Sequence, residues 1–151
     1  MKQADTLRRA GDKDVKAVAE LALLLWPEHT QAELEEEMAG VISGPASCVF
    51  FAELDGQAAG FAQCSLRRDY VEGASSPGPV GYLEGIFVKK PFRGRGMAST
   101  LLSACQQWAK QKGCREFASD CELDNRDSLA FHLSTGFKEK GRIICFLKCL
   151  K

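Results

Sequence analysis

Tyr82-Leu83-Glu84-Gly85-Ile86-Phe87-Val88, followed across Lys89-Lys90-Pro91-Phe92 by Arg93-Gly94-Arg95-Gly96-Met97-Ala98-Ser99, is the stretch that decides the fold. A β-branched and aromatic run reads as a strand, and it delivers the chain into a glycine-rich turn whose backbone N–H groups open a helix. Such a helix start attracts anions. Gly94 and Gly96 remove side chains that would hold the backbone away from phosphate oxygens, and Arg93 and Arg95 add fixed positive charge. The turn reads as a cradle for a pyrophosphate.

Several folds use glycine turns in this way. A nucleoside-triphosphate loop would end in Lys-Ser or Lys-Thr, which is absent here. Gly94-x-Gly96-x-x-Ser99 approaches a dinucleotide fingerprint, with Asp120 at a distance suited to a ribose. That fingerprint begins directly at a strand end, whereas five residues from Lys89 to Arg93 intervene here, and 151 residues leave little room for a second, catalytic domain. A glycine-rich helix entry with no ligand is the plain structural alternative.

Outward from this stretch the chain punctuates itself clearly. Thr6 to Arg9 reads as a short strand, Asp12 as the cap of a helix from Lys13 to about Trp26, and Pro27 as its stop. Thr30-Gln31-Ala32-Glu33 has capping-box spacing, which predicts a second helix to Gly40. Ser47 to Leu54 and Gln57 to Leu66 flank Asp55-Gly56, a hairpin signal. Glu72 to Pro79, rich in Gly, Ser and Pro, is expected to be the most mobile loop. After the glycine turn, Ala98, Leu101, Leu102, Cys105, Trp108 and Ala109 make one apolar stripe on a helix from Met97 to Lys112 that Gly113 ends. Cys114 to Cys121 reads as a buried strand, Asp127 to Thr135 as a short helix, and Ile143 to Lys148 as a final strand. Mixed strands with helices on both sides predict an α/β three-layer sandwich in a single domain covering residues 1–151.

Charge and composition narrow the partners. Twenty basic and twenty acidic residues cancel, which argues against a nucleic-acid partner held by its phosphates. No stretch is long and apolar enough to cross a membrane, and Met1-Lys2-Gln3-Ala4-Asp5 is not followed directly by an apolar secretion signal, so a cytoplasmic location is expected. Seven scattered cysteines, an odd number without a Cys-x-x-Cys pair, fit reduced thiols rather than disulfides or a metal centre. Lys89, Lys90, Arg93 and Arg95 cluster at the turn, while Glu33, Glu35, Glu36, Glu37, Asp69, Glu72, Glu84, Asp120, Glu122 and Asp124 lie elsewhere. One anionic and one cationic ligand would suit that division, although Glu35 to Glu37 read first as a solvated helix face.

The arginine-x-x-glycine-x-alanine spacing of Arg93, Gly96 and Ala98, between a strand and a helix, resembles the acyl-coenzyme A signature of the GNAT superfamily of N-acetyltransferases. Asn125-Arg126-Asp127-Ser128, with Gly136-Phe137 closing the segment, is similar to that family's next helix and turn. Leu25-Trp26-Pro27, His29, Arg68-Asp69-Tyr70-Val71, Leu83 to Val88, Gly113-Cys114-Arg115-Glu116 and Ala118-Ser119-Asp120 together resemble its aminoglycoside 6'-N-acetyltransferase branch. The resemblance implies a centrally splayed mixed sheet, acetyl-CoA as co-substrate without a metal, an aminoglycoside or other polyamine substrate, and a homodimer pairing C-terminal elements. It also implies that Ile86, Phe87 and Val88 present backbone amides to the acyl arm. The phosphates would then rest on Arg93, Gly94, Arg95, Gly96, Met97, Ala98 and Ser99, with Asn125 contacting the cofactor.

An amine must lose a proton, attack a thioester carbonyl and expel a thiolate. Glu84 and Asp120 are acids in largely apolar strands, each either satisfied by an arginine or amide or free for substrate. The resemblance implies that both bind amino groups of the sugar and that one accepts the proton. Trp26 before Pro27 reads by itself as a helix-end core residue, and the resemblance makes Trp26, His29 and Tyr70 a wall for a sugar ring. The wider family often carries a tyrosine acid where this chain has His132, a residue that reads more simply as structural. A different amine substrate, on a small polyamine or a protein, and a non-catalytic acyl-coenzyme A-binding module are the alternatives; the module would need neither Glu84 nor Asp120. Both faces of Ile143-Ile144-Cys145-Phe146-Leu147 are apolar, so the run should be covered on both sides and pair with a second copy.

Overall fold

The computed structural model describes residues 5–151; residues 1–4, on which the expectation about a secretion signal falls, lie outside the described residues. Five strands, β1 (Thr6–Arg9), β2 (Ser47–Leu54), β3 (Gln57–Arg67), β4 (Val80–Val88) and β5 (Phe117–Ser119), form one sheet in chain order. The first four pair antiparallel and β5 runs parallel to β4. Helices α1 (Val15–Leu25) and α2 (Gln31–Ser43) cover one face, whereas α3 (Met97–Gln111) lies on the other, joined there by α4 (Arg126–Ser134) through Phe131. This is the expected α/β three-layer sandwich.

Two cores follow from the alternation of side chains along the strands. Val49, Phe51 and Phe61 pack with Val18, Leu21, Leu34 and Met38 beneath α1 and α2. Cys48, Ala62, Cys64 and Leu83 pack with Leu101, Leu102, Cys105 and Trp108 beneath α3. The Asp55-Gly56 hairpin closes as expected, both residues having positive φ, 52° and 74°. Thr30 and Glu33 complete a reciprocal capping box, and α2 continues past Gly40 to Ser43 because Met38 and Ile42 still face the core.

Asp12 does not cap α1. Residues Asp12–Asp14 form a single 3-10 turn, in which the Asp14 carboxylate accepts the Gly11 N–H at 2.8 Å and pairs with Arg8 at 2.7 Å. The Cys114 to Cys121 strand shortens to Phe117–Ser119, since β4 and β5 stay paired only from Gly81↔Phe117 to Leu83↔Ser119 and then part. Ile143 to Lys148 is no strand within this chain: it has no regular secondary structure and pairs with no strand, and Phe146 is 90% and Leu147 94% exposed. The covering expected for both faces is therefore absent from the single chain. The Glu72 to Pro79 loop is tethered, because the Glu116 carboxylate accepts the Ser75 and Ser76 N–H groups at 2.9 and 2.7 Å and the Ser76 hydroxyl at 2.6 Å.

Candidate functional site

Strand β4 organises both candidate ligand surfaces through one irregularity. Its register against β3 steps from Cys64↔Leu83 to Gln63↔Gly85, so Glu84 is an inserted residue, a β-bulge. Leu83 and Ile86 consequently both face the α3 core, and Glu84 and Gly85 both turn toward α1. Gly85 is required there by a close approach. A Cβ on it would lie 2.6 Å from the Trp26 ring, which therefore rests directly on strand backbone.

Beyond Leu83 the outer side of β4 has no partner strand among the described residues, because β5 has already diverged. The backbone from Glu84 to Val88 thus offers hydrogen-bonding groups to a ligand across ~13 Å of extended chain. One cavity stands at each end of this segment.

The first cavity, about 410 Å³, is lined by Trp26, Glu28, His29, Glu37, Gln63, Glu84 and Glu122. Four carboxylates and no lysine or arginine give it an acidic lining that suits a cation. Trp26 packs edge-on against Phe61 at 6.1 Å, and His29 is held by Glu33 at 3.1 Å. Sequence reasoning pointed to Trp26, His29 and Glu84 here. It did not assign Glu28, Gln63 or Glu122 to the site, and it read Glu37 first as a solvated helix face. Only the hairpin and the splay bring these residues together, so no local spacing marks them.

Glu84 is not a free carboxylate. It accepts from the Ser65 hydroxyl at 2.5 Å and from Arg67 twice, at 2.7 Å from Nη2 and 3.2 Å from Nε. That pairing holds the Arg67 guanidinium above its ordinary pKa. Arg67 in turn lies 3.5 Å from the centre of the Tyr82 ring, and the Tyr82 hydroxyl donates to Asp120. Burial first, then the Asp120 carboxylate, pushes the Tyr82 phenol upward, so it stays a donor. Glu84 and Asp120 are joined in one chain of contacts, Ser65–Glu84–Arg67–Tyr82–Asp120, although Asp120 is not among the residues lining the cavity. Tyr70 also stands outside it, 79% exposed with its hydroxyl donating to Glu72.

The second cavity, about 170 Å³, is lined by Val88, Phe92, Arg93, Gly94, Gly96, Met97, Ala98, Ser99 and Phe131. Gly94 and Gly96 have φ of 81° and 76°, left-handed conformations that the turn demands and that other residues adopt only with strain. A Cβ at either would meet nothing within 4 Å, so the space over the turn is open. Arg93 donates through Nε to the Val88 carbonyl at 2.7 Å, tying the turn to the strand end, and Arg95 lies over Phe92. Ile86, Phe87 and Arg95 border neither cavity with their side chains.

Asn125 caps α4, its side chain accepting the Ser128 N–H at 3.1 Å. His132 is engaged at both ring nitrogens, Nδ1 donating to the Ser128 carbonyl at 2.7 Å and Nε2 lying within hydrogen-bond distance of the Ser119 hydroxyl at 2.8 Å. It packs between Phe131 and Phe137. The structural reading of this histidine accounts for all of its contacts. Among the described residues no cluster of ligating side chains suits a metal ion.

The family model described as the acetyltransferase (GNAT) family matches residues 15–137. An aminoglycoside N(6')-acetyltransferase type 1 of Stenotrophomonas maltophilia is 40% identical over 144 residues, 95% of this chain and 92% of that protein. One from Salmonella typhimurium is 43% identical over 82% of this chain and 85% of its own length. Among solved structures, AAC(6')-Iy in complex with CoA superposes with a TM-score of 0.92 at 38% identity, over 96% of this chain and 95% of its own. The same enzyme with the bisubstrate analogue CoA-S-monomethyl-acetylneamine gives 0.88 at 38% identity, over 98% and 100% of the two chains. A splayed β4, a glycine turn opening α3 and similarity along nearly the whole chain leave one assignment: it belongs to the GNAT family of acetyltransferases.

Proposed function

We infer that this protein transfers the acetyl group of acetyl-CoA to the 6'-amine of aminoglycosides. The observation that carries this reading is the placement of a carboxylate-lined cavity and an open glycine turn at opposite ends of one unpaired strand segment. The acidic end suits a polycationic amino sugar, the turn suits a pyrophosphate, and the strand between them suits an acylated arm. Similarity to enzymes named as aminoglycoside 6'-N-acetyltransferases supports the substrate class.

In this reading Arg93, Gly94, Arg95, Gly96, Met97, Ala98 and Ser99 hold the phosphates, and Asn125 borders the cofactor while capping α4. Backbone N–H groups among Ile86, Phe87 and Val88 bind the arm and the oxyanion; donors fixed in a strand need no rearrangement as charge develops. Glu84 and Asp120 bind substrate ammonium groups, and one of them takes the proton, directly or through water. Trp26 and His29 wall the sugar in the cavity, and the exposed Tyr70, outside it, contacts a part of the substrate that projects beyond the cavity. The amine nitrogen then attacks the thioester carbonyl; the C–N bond forms, the C–S bond breaks, and coenzyme A leaves as a thiolate that takes, through water, the second proton shed by the nitrogen as the amide forms. No covalent enzyme intermediate is needed.

The chain acts as a homodimer in the cytoplasm. All seven cysteines are free thiols, as in a reducing compartment. Ile143, Ile144, Phe146 and Leu147 lie exposed, which is costly for an isolated chain, while β5 has an open outer edge and α4 buries no residue. A second copy that receives this segment resolves both. Light scattering at micromolar concentration should give twice the mass of 16.5 kDa, and Phe146→Asp should shift the protein toward monomer. Thiol release from acetyl-CoA, assayed against aminoglycosides with and without a 6'-amine, spermidine and lysine peptides, tests the activity. Release with spermidine or peptides alone would overturn the substrate assignment.

A further inference from the structure

Gln63 lies on β3 opposite Gly85, on the same face of the strand as Ser65 and Arg67. It is buried, 8% exposed, yet it borders the acidic cavity, and its Oε1 has no hydrogen-bond partner. Among the described residues only the Trp108 indole N–H is similarly orphaned, and that group belongs to the α3 core rather than to a cavity. A carbonyl oxygen removed from water without a donor is destabilising, so a protein keeps one at a cavity wall when something arriving there supplies the donor.

We propose that Gln63 is a substrate-recognition residue whose Oε1 accepts a hydrogen bond from an ammonium group of the amino sugar seated against Trp26 and Glu84. The assignment rests on the polycation reading of the cavity given above. Carboxylates around the amide select a ligand rich in N–H donors, which matches an acceptor and not a donor at this position. The last side-chain torsion of glutamine is soft, so the oxygen can turn to face the ligand at little cost. A neutral acceptor also avoids placing another like charge beside Glu84.

Three variants of the full-length protein test this. Gln63→Met keeps the stem and removes the amide, Gln63→Leu repeats the test with a different shape, and Gln63→Glu keeps an acceptor while losing the donor. Removal of the amide is expected to raise the aminoglycoside KM at least tenfold, leave the acetyl-CoA KM within twofold, and leave the unliganded Tm unchanged or higher. The rise in Tm that the aminoglycoside causes in the wild type should be lost, whereas Gln63→Glu should retain it. A lower unliganded Tm in both apolar variants, with an aminoglycoside KM like that of the wild type, would make Gln63 a structural residue and overturn the assignment. Retention of the wild-type KM without loss of stability would do the same, as would loss of binding in Gln63→Glu alone. If the wild type released no thiol with any aminoglycoside, the reading of the cavity would fail and take the assignment with it.

Discussion

Arg67 grips Glu84 at two points, 2.7 Å and 3.2 Å, while its guanidinium lies over the Tyr82 ring, 3.5 Å from the ring centre. The carboxylate on the inserted residue of β4 is thereby oriented before any substrate arrives, with Ser65 fixing its second oxygen. An ammonium ligand then meets a carboxylate with a defined direction rather than one sampling rotamers.

Removing the charge of either carboxylate in this network should separate substrate recognition from cofactor binding. Glu84→Gln and Asp120→Asn are each expected to lower aminoglycoside kcat/KM by about 10- to 100-fold, equivalent to ~1.4–3 kcal/mol of transition-state stabilisation. The acetyl-CoA KM should change less than twofold. Steady-state kinetics with each substrate varied in turn checks this, and parallel loss for both substrates would indicate a damaged fold.

Gly85→Ala places a methyl group 2.6 Å from the Trp26 ring, and the ring has to move. Overpacking of this kind costs about 1–3 kcal/mol. Because the displaced indole is a wall of the acidic cavity, aminoglycoside KM should rise while CoA affinity is kept, and the tryptophan emission of the unliganded protein should shift to the red. An unchanged spectrum and KM would show that the strand yields instead.

Gly96→Glu should abolish acetyl-CoA binding by calorimetry. The side chain enters the open space above the turn and sets an anion against anionic phosphates, at a position where φ of 76° already disfavours it by about 1 kcal/mol. Circular dichroism should still show a folded protein, since nothing surrounds the site for the side chain to displace.

The tether of the Glu72 to Pro79 loop carries a pH dependence. Hydrogen bonds from Ser76 first, then Ser75, lower the Glu116 pKa from 4.5 to about 2. A depressed folded pKa means the tether is complete above pH 4.5 and is lost as pH falls toward 2. Amide exchange at Ser75 and Ser76 should therefore be slow at neutral pH and accelerate, beyond the intrinsic pH trend, across that window. Glu116→Gln should exchange faster already at pH 7.

The layers of the fold were readable because each rests on a local signal: Thr30 and Glu33 for a helix start, Asp55-Gly56 for a hairpin, and the Leu101, Leu102, Cys105, Trp108 stripe for a core helix. Asp14 displaced Asp12 as the anchor before α1 because Arg8, on the neighbouring strand, reaches it, a contact that spacing does not reveal. The apolar run from Ile143 to Leu147 has strand composition, but no sheet edge within the same chain receives it. Of the acidic cavity, the sequence pointed to Trp26, His29 and Glu84, whereas Gln63 and Glu122 reach it only through β-pairing and through the parting of β4 from β5. The bulge itself leaves no trace in the sequence, since one additional residue in an apolar run alters neither its composition nor its length by much.

The bulge absorbs that additional residue without shifting the strand that follows it. With Glu84 counted in, Ile86 and Val88 fall in the α3 core and Phe87 in the α1 core. At the same length without the bulge, strict alternation would send all three to the opposite side, whereas deleting Glu84 or Gly85 together with the bulge would restore alternation and leave all three where they are. The insertion is thus a local loop-out that neither core feels, and its removal would take from the acidic cavity either the Glu84 carboxylate or the bare backbone beneath Trp26 while both cores stay packed.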